Sequence, residues 1–102
     1  MTVIHHPRVA WDTARVIVEA VPDEQLFAWI RQELGGLLGA AARDALTETR
    51  DRLSRAGDAG VPVEAGRWRV RLEDLLRERP ELAGDVSAFT AVAVGLLRGR
   101  QS

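Results

Sequence analysis

Apolar residues recur at helical spacing through most of the chain. The stripe Leu26, Ile30, Leu34, Leu37, Ala41, Ala45 and Leu53 keeps that spacing almost to Gly57, and Phe27, Trp29, Leu38 and Leu46 broaden it. Pro22, Asp23 and Glu24 form a helix start, since proline fits the first turn and acids suit its positive end. The pattern predicts one helix over 23–56, with a bend at Gly35/Gly36 left open. On its second half Glu48 with Arg52 and Asp51 with Arg55 are i,i+4 pairs in the favourable order, each worth about 0.3 kcal/mol. "AGDAGVP", 56–62, then ends the helix with glycine and proline.

Three further helices follow from the same reasoning. Residues 1–10 read as an irregular lead-in containing Pro7; Asp12 then caps a helix over 12–21, with Trp11 placed to pack on Val16 as a hydrophobic staple. "RVIVEAV" is β-branched enough to be a strand, so both readings of 12–21 stand, helix preferred. "GRWRVRLEDLLRERPEL" has the same ambiguity: Trp68, Val70 and Leu72 alternate with arginines over 67–72, whereas Trp68, Leu72, Leu75, Leu76 and Arg79 lie at helical offsets. Helix is preferred over 65–79, with Glu73 and Arg77 as another i,i+4 pair. Pro80 opens a last helix over 80–98, buried along Leu82, Val86, Phe89, Ala93 and Leu96, before "RGRQS" frays over 99–102. The expected fold is all-α: one domain over 1–102, a small four-helix bundle.

The segment "ELGGLLGAAARDAL", 33–46, carries three glycines inside a predicted helix, each costing roughly 1 kcal/mol relative to alanine. Gly35 and Gly39 stand four apart, a spacing that lets two helix backbones approach closely. A bend and a tight packing site are both open. A membrane span here is opposed by its length, because the nine uncharged residues 34–42 rise only about 13 Å. It is opposed also by Arg31, Glu33, Arg43 and Asp44, which would cost about 2.5–3.5 kcal/mol each in the bilayer. The run Phe89 to Leu97 is equally short.

Composition narrows the function classes. A chain of 102 residues with 46% apolar and 28% charged residues is an ordinary globular domain, too small for a cleft between two domains. Net charge is −1, so no overall field recruits nucleic acid or an anionic membrane. All 14 basic residues are arginine, and lysine, asparagine, tyrosine and cysteine are absent, as a GC-rich genome would produce. Without cysteine there are no disulfides, thiolate metal sites or cysteine nucleophiles. The amino end shows no secretory pattern, and a cytoplasmic location is the expectation.

Candidate chemistry is sparse. His5 and His6 are the only histidines and are adjacent, so they do not converge on one metal, and no further nitrogen or sulfur ligand is at helical spacing. A serine–histidine–acid arrangement would have to use the same two residues. The acids fall mainly on charged helix faces. No catalytic, cofactor or metal site, and no small-molecule substrate, is inferred. Arg67, Trp68, Arg69 and Arg71 are the best nucleic-acid candidate, since arginine pairs with phosphate and tryptophan stacks on bases. Glu64, Glu73, Asp74 and Glu78 cancel that field, so nucleic acid is not the expected partner.

"ALTETRDRLSRAG" followed by "GRWRVRLEDLLRERPELAGDV" resembles helical modules of small, mostly uncharacterised actinobacterial proteins, through Thr49, Arg50, Leu53, Trp68, Arg69, Arg71, Leu72, Leu75, Leu76 and Pro80. Some of those relatives carry tails resembling amyloid-type signalling sequences, which implies self-association or conflict signalling. "EAVPDEQLFAWI" is also similar to the first helices of bacterial effector-associated, death-like adaptor domains.

The sequence-based expectation is a non-enzymatic helical interaction or regulatory module acting through contacts with itself or a partner protein. Trp29, Gly35, Gly39, Arg67, Trp68 and Arg71 are the candidate contact residues. A membrane-associating protein using the glycine-rich segment, and an accessory subunit of an enzyme complex, are the alternatives.

Overall fold

The computed structural model describes residues 5–100, and every element in them is helical. Five α-helices follow one another: α1, His6–Ala20; α2, Glu24–Leu38; α3, Ala40–Ala56; α4, Val61–Glu78; and α5, Ala83–Arg100. Short 3-10 turns at Gly57–Gly60 and Pro80–Leu82 precede α4 and α5. The expected all-α bundle is present, and both segments that could have been strands are helix. The count rises to five because the long helix expected over 23–56 is an α2–α3 hairpin.

Helix α1 starts six residues before the expected Asp12 cap, with Pro7 in its first turn. Residues 6–10 of the expected lead-in are therefore helix, and 1–4 lie outside the described residues. Asp12 instead faces Arg8 at 3.9 Å, and Trp11, in mid-helix and 42% exposed, is no staple. Val16, Ile17 and Val18 are all buried, because α1 is the central element, packed along α4, beside α5 and at its end on α2. Burial of the β-branched run outweighs its strand propensity. Val21 keeps helical backbone angles, but Pro22 has no N–H to continue the ladder, the Asp23 N–H turns to the Ala20 carbonyl at 3.0 Å, and α2 restarts with the Asp23 carboxylate accepting from the Leu26 N–H at 3.0 Å.

The hairpin turns at Gly39, not at Gly35/Gly36. Gly39 has φ +103° and ψ −179°, a region that in practice only glycine occupies. Its N–H donates to the Gly35 carbonyl at 2.7 Å, and its own carbonyl accepts from Arg43 at 3.2 Å, so one residue ends α2 and begins α3. The reversal also changes which residues face inward: Leu38 and Ala42 are buried, whereas Leu37 is half-buried and Ala41 exposed. Gly39→Ala should cost about 1–3 kcal/mol through backbone strain alone. Gly36 has φ outside that region and open space where a Cβ would lie, so Gly36→Ala should stabilise by roughly 0.4–1 kcal/mol. Urea denaturation of the two variants checks the contrast; equal stability would mean that the turn at Gly39 relaxes freely.

Helix α4 starts four residues earlier than expected, with Pro62 in its first turn, and ends where Arg79 precedes Pro80. Residues 99 and 100, expected to fray, are part of α5, and Arg100 reaches Asp23 at 3.8 Å. One core contains Ile17, Ile30, Leu34, Leu46, Leu72, Leu76 and Val86, all fully buried, together with Trp68. Val18, Leu53 and Ala65 form a smaller cluster. Thr13 and Thr90 join α1 to α5 at 2.6 Å in the interior while also bonding the Val9 and Val86 carbonyls. Two hydroxyl protons serve those three contacts.

Candidate interaction surfaces

Two surfaces collect the residues singled out from the sequence. The first lies between α3 and α4, which are joined chiefly by side chains. Trp68 is 2% exposed, and its indole N–H donates to the Thr49 hydroxyl at 2.8 Å; Thr49 in turn donates to the Ala45 carbonyl at 2.9 Å. Near it the Arg52 guanidinium grips Glu64 with both ends: Nε to Oε2 at 3.0 Å and Nη2 to Oε1 at 2.8 Å. The Glu64 side chain is 5% exposed and that of Arg52 35%. The hydrogen bond to Glu64 holds the Arg52 pKa above its ordinary value; burial acts the other way, and the charges of Glu64 and Glu48 add to the rise. Arg67 lies 3.7 Å from Glu64, and the Arg71 guanidinium stands 5.5 Å from the Trp68 ring centroid.

A groove runs above this cluster, with Trp68 and Thr49 among its lining residues and Glu48, Asp74 and Glu78 beside Arg52, Arg67 and Arg71. Trp68 is committed to the core and is not presented for stacking on a base. Mixed charge along the groove gives it no single-sign field. Of the i,i+4 pairs expected, Glu48–Arg52 is present at 3.8 Å. Arg77 pairs with Asp74 at 3.0 Å rather than with Glu73, which faces Arg69 at 3.5 Å.

The second surface lies on α2 and α5. Trp29 is half-buried and stacks on Phe89, centroids 5.4 Å apart and planes 12° from parallel. A shallow groove beside the pair is lined by Gly36, Leu37, Ala88 and Val92 together with Gln32, Glu33 and Asp85. It opens onto the outer face of α5, where Ala88, Ala91, Val92, Gly95 and Leu96 are all exposed, Val92 by 53% and Leu96 by 45%. No charged residue occurs between Asp85 and Arg98. The expected inward stripe of this helix was wrong in one place: Leu97 is buried and Leu96 points outward.

Gly35 and Gly39 serve neither surface by close helix packing. Gly35 is buried inside the hairpin, where an added Cβ would lie 2.9 Å from the Arg43 Nε, the movable end of a side chain. Gly39 has nothing within 4 Å of that position. The structure thus brings Arg67, Trp68 and Arg71 together, keeps Trp29 apart from them, and gives Gly39 a conformational role. Leu34, Leu38, Ala42, Ala45 and Leu46 of the glycine-rich segment belong to the core, and Leu37 packs against it partly buried.

Among the described residues no group of three His, Cys, Asp or Glu side chains could hold a metal ion. One segment there, Pro80–Arg100, is long and apolar enough to cross a membrane, with mean hydropathy 1.3 and 39% of its most apolar window buried. Comparison with protein-family models, curated proteins and solved structures finds no match to this chain.

Proposed function

We propose that the protein is a non-enzymatic helical interaction module whose contact surface is the α2–α5 face. The observation that supports this reading is the face of α5 itself. A helix on the outside of a soluble bundle ordinarily carries charge on its solvent side. Here twelve successive residues, 86–97, contain none, and two large aliphatic side chains among them stand in water. Trp29, which extends the patch onto α2, is the kind of partly buried aromatic that anchors protein contacts. The arginine groove is a weaker candidate, because its tryptophan and its best-placed arginine are already engaged inside the fold.

A photoreactive side chain introduced at Val92 tests the reading, with Val70 on α4 as control; Val70 is 50% exposed and borders the other groove. Cross-linking in the cells that make the protein should occur from 92 and not from 70. Membrane association is the second reading, favoured by the hydropathy of α5 rather than by the glycine-rich segment. It predicts that the chain sediments with neutral lipid vesicles.

A further inference from the structure

The occupant of the α5 face can be named from its charges and their spacing. Asp85 lies at the amino end of the face and Arg98 at the carboxyl end, and neither has an ion-pair partner among the described residues. The midpoint of 85 and 98 falls between Ala91 and Val92. The same midpoint relates Ala88 to Gly95, both exposed and both small. About that centre the face is therefore opposite in charge, with a small residue at equal distance on either side, while Val92 and Leu96 fall opposite the smaller Ala91 and Ser87. Such a surface is complementary to itself when a second copy is laid across it in the reverse direction.

We infer that the protein self-associates through a two-fold antiparallel contact of α5 with α5 of a second copy, centred between Ala91 and Val92. This rests on the reading of that face as the contact surface. At 1.5 Å per residue, Asp85 and Arg98 stand about 10 Å on either side of the centre. The antiparallel arrangement brings Asp85 of each copy level with Arg98 of the other, making two attractive pairs. A parallel arrangement would set like charges against each other at both ends, so charge selects the direction. The two residues are about 140° apart around the helix at 3.6 residues per turn, on opposite edges of the face, so the helices cross at an angle. Ala88, Ala91 and Gly95 let the axes come close, while Val92 and Leu96 supply the apolar area. A Cβ added at Gly95 would meet nothing within 4 Å, so the monomer does not itself use the absence of a side chain there.

The test is sedimentation equilibrium of the purified full chain with charge exchanges. The wild-type protein should form dimers. D85R and R98D should each weaken dimerisation about tenfold, since each turns two attractive pairs into two repulsive ones. The double variant D85R/R98D should recover it. An equimolar mixture of the two single variants should recover it as a heterodimer, and that recovery separates pairing from any loss of helix stability in one variant, which mixing leaves unrepaired. A wild-type chain that stays monomeric at millimolar concentration, or single variants that the mixture does not rescue, overturns the self-pairing. A monomeric chain whose position 92 cross-links to a different protein overturns the inference and leaves the contact surface standing, whereas no cross-link removes both.

Discussion

Trp68→Ala should lower stability by about 3–5 kcal/mol, the cost of deleting a large buried aromatic whose site cannot fully collapse. For a domain of this size each kcal/mol is worth about 4–8 °C, so the melting temperature should fall by about 12 °C or more. The side chain is 2% exposed and holds two helices at once, through its ring in the core and its N–H on Thr49. Trp68→Phe should cost much less: it fills most of the volume, and Thr49 keeps its bond to the Ala45 carbonyl. Loss of the indole donor is then worth about 1 kcal/mol. Differential scanning calorimetry of the two variants checks the order. If both melted near the wild-type temperature, Trp68 would not be a core residue, and the arginine groove would regain its standing as a site with a stacking platform.

Arg52→Leu has the second large expected effect. Removing one partner of a buried pair typically costs roughly 3–5 kcal/mol, because the other charge stays desolvated without compensation. Here the cost should be nearer 2 kcal/mol, since a third of Arg52 is already in water and Arg67 remains 3.7 Å from the carboxylate. Arg52→Leu together with Glu64→Leu should recover most of the loss, because two apolar side chains remove the stranded charge and fill its space. Denaturant midpoints of the single and double variants measure it. A double variant no better than the single would mean that the ion pair itself, not the relief of a buried carboxylate, holds α3 to α4.

These two clusters also show where the chain can be read from its residues and where it cannot. Helix type was legible almost throughout, because the stripe from Leu26 and the offsets from Trp68 are periodic over several turns. The break at Gly39 was not, since a glycine inside an unbroken apolar pattern looks the same whether it bends, packs or reverses the chain. Its decisive property, φ of +103°, is set by the packing of α2 on α3. Likewise, Glu64 reads only as one of the acids that offset the arginine cluster, ahead of the helix expected from 65, and only the fold places it in the first turn of α4 under Arg52. Trp29 was legible as an anchor candidate, but its partner Phe89 lies sixty residues along the chain. The open face of α5 did leave a signal: no charge between Asp85 and Arg98. It was masked by an inward stripe drawn through Leu96, when a helix lacking any polar face has apolar residues to spare on the outside.

The α5 face organises the account: Trp68 and the Arg52–Glu64 pair hold the bundle together, and Val92 and Leu96 are what it presents. Cross-linking from position 92 in cells tests that division most directly. A discrete adduct is expected from 92, at twice the mass of the chain, and none from 70 on the opposite groove. An adduct from 70 with none from 92 would contradict it.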